Sequence, residues 1–383
     1  MGALSHLKVL DLSRVLAGPW SSQILADLGA EVIKVEHPEG GDDTRKWGPP
    51  FLDDVEGNAT SESAYFICTN RNKKSVCIDM RTEQGQQRLH QLIAESDILL
   101  ENFKVGGLAK YGLDYASLSQ LHPRLIYCSI TGFGQTGPYK DRPGYDFLVQ
   151  AMGGLMSVTG LPDGEPGAGP QKVGVALTDI MTGLYATIGI LAALADRERT
   201  GQGQQVDLAL LDVTAATLAN QASNYLVGNQ VPGRLGNAHP NIVPYQSFAT
   251  ADGHCIIAVG NDGQFQRLLE VLGLDHLKSD VRFTTNQLRV LHRDELIPLL
   301  QEVLLKQGKW QWLAALEQAK VPAGPINTID EVFADPQIQA RDMVVELPHE
   351  SGGQVKMAGN PIKLSRTPVE YKNSAPLLGQ HSR

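Results

Sequence analysis

Cysteine is scarce and scattered: Cys68, Cys77, Cys128 and Cys255 form no Cys-x-x-Cys pair and no Cys/His cluster at metal-ligand spacing. A disulfide framework and a metal centre are therefore not expected; reduced thiols in a cytoplasmic protein are. Positive charge is in deficit, with 33 Lys and Arg against 42 Asp and Glu and a net charge of -9. Nucleic acids and anionic membranes select the opposite field, so neither is expected as a partner, and any anionic ligand must be held by local groups. The longest mostly apolar run, near Leu184 to Ala195, falls short of the ~20 residues needed to cross a bilayer. The first residues show no basic patch followed by a long apolar core, so no secretory signal is expected. The Gly-x-Gly-x-x-Gly fingerprint of dinucleotide binding is missing too, since the stretch Val15 to Trp20 has a single glycine followed by proline. That disfavours an NAD-dependent oxidoreductase.

What is present is alternation of strands and helices. Lys8 to Leu12 reads as a strand, Trp20 to Leu28 as a helix, and Glu31 to Val35 as a second strand ending at Glu36. Ser75 to Asp79, a helix from about Thr82 to Glu95, Ile98 to Leu100 and Leu125 to Ile130 continue the pattern, and Gln205 to Leu210 alternates as a further strand. The expected fold class is α/β with a mainly parallel sheet, and ligands in such folds sit beyond the carboxyl ends of the strands. At 383 residues the chain is long for one core, so two domains are expected. Residues Gly228 to Pro244, rich in Gly, Asn and Pro, read as a long linking loop. Beyond it, Gln246 to Val259 reads as a hairpin and Gln264 to Lys320 as helices, a smaller α+β unit. Val321 to Asn327 reads as a stiff return segment. The abrupt ending at Pro376 to Arg383 is consistent with a missing terminal helix.

One stretch organises the rest. Val173, Val175 and Leu177 alternate like a strand, Thr178-Asp179 interrupts them, and Ile180 to Leu194 is almost wholly apolar, like a buried helix. Asp179 therefore stands between two apolar elements. It can be the N-cap of that helix, accepting backbone N–H groups, or a carboxylate nucleophile shielded from water; the two roles are compatible.

Several loops could hold an anionic, partly aromatic ligand. His37 to Trp47 joins glycines to Arg45, Lys46 and an indole; Asn70 to Ser75 is the densest positive cluster; Asn102-Phe103-Lys104 follows a strand end. Each also reads as a solvated turn or a helix cap. Gly260 to Gln264 is a glycine loop at a strand-to-helix junction, either a lid or a simple turn. The loop histidines have no nearby Ser or Cys nucleophile, so none is assigned as a catalytic base.

Ten motifs, in order over nearly the whole chain, resemble the class III CoA-transferase family. They include Val9 to Leu12 with Ala17-Gly-Pro19, Leu28 to Glu36, Gly41 to Arg45, Asn72 to Ser75, Glu101-Asn-Phe103, Gly132-Phe-Gly134, Gly144-Tyr-Asp146, Thr178-Asp179, Thr200 to Gln204 and Pro376 to His381. Asn237 to Tyr245, Arg282 to Arg289 and Val321 to Asn327 are most similar to succinyl-CoA:glutarate-type dicarboxylate transferases within that family. The resemblance implies that Asp179 attacks an acyl-CoA thioester, giving an aspartyl anhydride and then an aspartyl-CoA thioester. It also implies CoA contacts along Val15, Ala17, His37, Asn72, Lys73, Lys74, Asn102, Phe103 and Lys104, with Arg45 and Trp47 nearby. Leu16, Tyr145, Arg234, Gly260 and Gly263 are the implied contacts of the acid substrate. Leu16 stands where formyl-CoA transferases carry Gln, which disfavours oxalate/formate chemistry, and Arg234 or another base near that loop is expected to clamp a distal carboxylate. Coenzyme A enters as acyl-CoA substrate, with no tightly bound cofactor expected. The implied architecture is a Rossmann-like large domain from residues 1–225 and 325–383, a small domain from 226–324, and an interlocked homodimer. Formyl-CoA- or carnitine-type transfer remains a neighbouring possibility. A 2-methylacyl-CoA racemase is disfavoured because Tyr145 replaces the histidine base, and an acyl-CoA sensor without turnover is the non-catalytic alternative.

Overall fold

In the computed structural model, residues 2–382 are described, and the chain divides into two compact units. The larger runs to Leu155, resumes at Lys172–Gly228 and again from Asp335; the smaller comprises Met156–Gln171 and Asn229–Ala334. The sequence expectation drew the divisions at 225 and 325; these compact units divide after Gly228 and before Asp335, and residues 156–171 group with the smaller unit.

The larger unit is built on a six-stranded parallel sheet. Its strands in chain order are β1 (Lys8–Asp11), β2 (Glu31–Glu36), β3 (Lys73–Cys77), β4 (Ile98–Glu101), β5 (Ile126–Thr131) and β6 (Gln205–Ala209), and they lie side by side as β3-β2-β1-β4-β5-β6. Successive side chains enter opposite cores. Val9, Val32, Ile98, Leu100, Ile126 and Cys128 pack with helices α1 (Ala17–Asp27) and α5 (Leu177–Thr200), whereas Leu10, Val35, Leu99 and Tyr127 pack with α2 (Glu83–Ala94) and α3 (Tyr115–Leu121). The strand order reverses between β1 and β4, so the loops after these two strands diverge and leave a crevice at their carboxyl ends.

Two glycines bring further segments to that crevice. A Cβ on Gly132 would lie 2.6 Å from Gly144 Cα, so only two glycines let the chain after β5 touch the segment leading into α4 (Asp146–Met152). A Cβ on Gly183 would lie 2.7 Å from the Ala17 carbonyl oxygen, so α5 presses directly on the start of α1. Asp179, one turn earlier on the same face of α5, is thereby carried to Leu16 and Ala17.

The segment before α5 departs from expectation. Residues 171–176 form no strand, and Val175 is 55% exposed. Its backbone is satisfied by a side chain instead: Gln150 Oε1 accepts from Val173 N at 3.0 Å, and Gln150 Nε2 donates to Val175 O at 3.4 Å. α5 itself is not wholly buried; Thr182, Gly183, Ala186 and Ile190 face the core, while Leu184, Tyr185 and Ile188 are exposed. Its 24 residues are long and apolar enough by length and composition to cross a bilayer, unlike the shorter run expected from sequence. The buried Arg197, paired to Asp97 at 3.0 Å, and the threonines of its inner face are features of a core helix.

The smaller unit pairs Tyr245–Thr250 with Gly253–Ala258 as the expected antiparallel hairpin, and Ala323–Pro325 of the return segment adds a third strand. Helices between Asp262 and Gln318 bury Phe265, Leu268, Leu269, Leu296, Leu300 and Leu316 against it.

Candidate active site

The crevice holds a cavity of about 240 Å³ lined by Val15, Leu16, Ala17, Asn102, Phe103, Lys104, Tyr145 and Asp179 together. Eight residues singled out from sequence thus share one small space. Arg14, Lys140 and Arg142 line it too, and the sequence reading had missed them. Arg14, Phe103 and Lys104 also line a second cavity of about 370 Å³, with His37, Asp79, Arg81, Lys110 and Tyr111.

The first wall is strained and pinned. Val15 has φ 71°, a left-handed conformation that β-branched residues rarely adopt. Its N–H donates to both Asp42 carboxylate oxygens at 3.2 Å, and Asp42 is paired with the buried Lys34 at 2.8 Å. Asn102 clips the same loop from the β4 side, its Oδ1 accepting from Arg14 N at 2.9 Å and its Nδ2 donating to Arg14 O at 2.8 Å. Backbone strain held by buried partners is characteristic of binding sites.

Asp179 lies in the first turn of α5 but does not cap it. The N-cap position is Ala176, and the capping carboxylate comes from α4: Asp146 Oδ1 accepts from Thr178 N at 2.9 Å and Asp179 N at 3.3 Å. Gln150 Nε2 in turn donates to Asp146 Oδ2 at 2.7 Å. Asp179 is thus left free of a capping role. Burial, and then the like charge of Asp146, push its carboxyl up to about 7. Tyr65, packed edge-on against Trp47 with ring centroids 5.1 Å apart, is a further neighbour. Burial and the nearby charges of Asp179, Cys68 and Asp146 push its phenol up to about 12.

The expected cationic cluster is placed differently. β3 begins at Lys73, which pairs in register with Val32 near the start of β2, so the cluster lies at the amino end of the strand, away from the crevice. Lys73 is fully buried, donating to Asn70 Oδ1 and Pro19 O at 2.9 Å and pairing with Asp11 at 3.3 Å. Asn72 ties down the C-terminal stretch through Glu370 O, Lys372 N and Asn373 N, and Lys74 pairs with Glu31 at 2.5 Å on the surface. Arg45 is buried in a two-pronged pair with Glu36, over the Phe66 ring at 3.6 Å. The accessible cation beyond the carboxyl end of β3 is Arg81, held to Asp79 at 2.8 Å and 2.7 Å from His37 Nε2. The rule that ligands meet strand carboxyl ends, applied to β3, points to residues 78–81 rather than to 70–75.

The three remaining candidates belong to the smaller unit. Arg234 donates to Leu161 O at 3.2 Å and is paired with Asp163, so its guanidinium is already engaged. Gly260 N donates to Gln264 Oε1 at 2.7 Å and Asn261 caps the helix Asp262–Leu272, so Gly260 and Gly263 flank an ordered cap.

The model of CoA-transferase family III matches residues 4–382. A succinate–glutarate CoA-transferase of Agrobacterium fabrum is 53% identical over 99% of this chain and 93% of its own length. The human succinyl-CoA:glutarate CoA-transferase is 42% identical over 99% of this chain and 84% of its own. A crystal structure of a CAIB/BAIF family protein from Brucella suis is similar with a TM-score of 0.85 at 52% identity, covering 100% of this chain and 97% of that one. With a family match from end to end, the chain belongs to CoA-transferase family III and is an enzyme of that family.

Proposed function

We propose that this enzyme moves CoA from succinyl-CoA to glutarate, with Asp179 as the nucleophile. The observation that carries the mechanism is the setting of Asp179: a carboxylate in the first turn of a helix, opening into a small cavity, with no ion pair to a cation among the described residues and its capping duty taken by Asp146. The dicarboxylate pair rests on the 53% and 42% identical relatives.

Asp179 attacks the thioester carbonyl, the C–S bond breaks, and CoA leaves as thiolate, giving an aspartyl–succinyl anhydride. The thiolate then attacks the aspartyl carbonyl, releasing succinate and forming aspartyl-CoA. Glutarate attacks that thioester in turn, and the released thiolate attacks the glutaryl carbonyl of the new anhydride, regenerating the Asp179 carboxylate. Covalent storage keeps the thioester's free energy while acids exchange, and a nearly dry site protects both intermediates from hydrolysis.

In this reading the parallel sheet is a Rossmann-like frame for CoA. The nucleotide end lies in the larger cavity among His37, Arg81, Lys104 and Lys110, and the thioester end reaches past Phe103 to Asp179. We further propose a homodimer, interlocked as in the family. The helix Ala219–Gly228 buries no residue, leaving Tyr225, Leu226 and Val227 at 51%, 75% and 84% exposure, and the outer face of α5 is likewise uncovered. The four unpaired thiols suit a cytoplasmic setting. Light scattering showing a monomer at micromolar concentration would remove the dimer.

Incubation with succinyl-CoA and a panel of acids (glutarate, oxalate, itaconate, malate, carnitine), read as CoA esters by mass spectrometry, tests the reaction. Glutaryl-CoA from the parent protein and none from Asp179→Ala is the expected result. Ester formation undiminished in Asp179→Ala would exclude the nucleophile.

A further inference from the structure

We propose that Arg142 grips the distal carboxylate of the acid substrate and so selects dicarboxylates, an inference that rests on the transferase reading above. A five-carbon diacid placed with one carboxylate at Asp179 extends a second charge into the same cavity. In a protein of net charge -9 that charge needs a local cation. Four cationic side chains line the cavity: Arg14, Lys104, Lys140 and Arg142. Arg14 is paired with Asp43 at 3.1 Å and Lys140 with Asp141 at 3.1 Å. Lys104 also faces the larger cavity, where it lies beside Arg81 and Lys110.

Arg142 differs from each of them. Among the described residues it makes no ion pair, and of these two cavities it lines the one that contains Asp179 and not the other. Its guanidinium carbon rests over the Tyr139 ring at 3.8 Å from the centroid, and Tyr139 packs edge-on against Phe133 at 5.8 Å. An aromatic shelf fixes the fork's plane while leaving its N–H edge free, the arrangement suited to two-pronged capture of a carboxylate. The same short segment continues through Tyr145 to Asp146, whose carboxylate accepts from the Asp179 N–H at 3.3 Å. Arg142 and the nucleophile are therefore held on one framework, and apolar Leu16, Ile130 and Leu210 line the same cavity, where methylenes can rest. Arg234, the cation expected from sequence, is engaged by Asp163 in the smaller unit.

Acceptors that compete for one aspartyl-CoA intermediate give a product ratio that depends on the acceptor step alone, whatever the donor. The parent protein, Arg142→Gln and Arg142→Lys are each given succinyl-CoA with equimolar glutarate and pentanoate, and the two esters are quantified. The parent is expected to favour glutaryl-CoA, Arg142→Gln to lose roughly 10- to 100-fold of that preference, and Arg142→Lys to retain part of it. A glutaryl-to-pentanoyl ratio unchanged within about twofold in Arg142→Gln would overturn the clamp, even if total turnover falls. If the parent makes no ester from any acid, the transferase reading fails instead. Glutarate titrated into CoA-saturated parent and Arg142→Gln protein then decides the clamp: weaker binding in the variant supports it, and equal binding removes it.

Discussion

Asp11 and Asp179 are both carboxylates shielded from water in the same unit, and they have been driven in opposite directions. At Asp11 burial pushes the carboxyl up, but the charges of Lys73 and Lys34 and the hydroxyls of Ser13 and Ser22 outweigh it and hold the group below its usual range. At Asp179 burial acts in the same sense, no cation among the described residues answers it, and the like charge of Asp146 adds to it. Burial by itself therefore does not mark a reactive acid; the sign of its neighbours does. The paired group is a beam in the floor of the crevice, and the unpaired one faces the opening.

The sharpest way to break this contrast is to remove each group's distinguishing feature. Asp179→Asn is expected to lower CoA transfer by at least roughly 10⁴-fold, because the exchange proposed above passes through its oxygen. The same variant should be more stable than the parent at alkaline pH. Asp179 has a folded pKa of about 7 against an ordinary carboxyl value of 3.8, so its contribution is fully present below about 4 and is lost as pH rises through 7. Removing the charge relieves that penalty, on the order of 1–3 kcal/mol at pH 8 and little at pH 4, measured by urea midpoints. On the other side of the comparison, Lys73→Met strips Asp11 of a partner. Breaking a buried pair costs about 3–5 kcal/mol, and the folded fraction should keep its KM for the acyl-CoA within about twofold. A KM that rises steeply without loss of stability would mean that Lys73 touches CoA after all.

Much of the frame was legible because it follows local rules. The parallel strands begin and end within about two residues of the hydrophobic alternation, and Thr82 caps α2 where the pattern begins, accepting from Gly85 N. Asp179 and the loops of Val15 to Ala17 and Asn102 to Lys104 were legible for the same reason: each follows or precedes an apolar element at the crevice. What could not be read locally was partnership. Nothing near Lys73 in sequence reveals that Asp11 takes its charge, and nothing near Val173 reveals that Gln150 satisfies its backbone. Arg142 and Arg81 were passed over because isolated cations in loops look solvated until the fold shows what lies opposite them.

Asp146 offers the smallest and most discriminating test, since it combines the structural and the electrostatic role in one side chain. Asparagine keeps an oxygen that can accept from the Thr178 and Asp179 N–H groups, so the start of α5 should survive Asp146→Asn, while the negative charge beside Asp179 is lost. With that charge removed, the Asp179 pKa should fall from about 7 toward the acidic side. In the parent, kcat/KM for the acyl-CoA should climb as pH rises to about 7 and then level off, because only the carboxylate attacks. In Asp146→Asn the break should move down by roughly one unit, giving about fivefold more of the active form at pH 6 and no gain at pH 8. A uniform loss at every pH would mean that Asp146 serves α5 as a cap alone. A break that shifts while the plateau stays level would show that one carboxylate sets the proton affinity of the other.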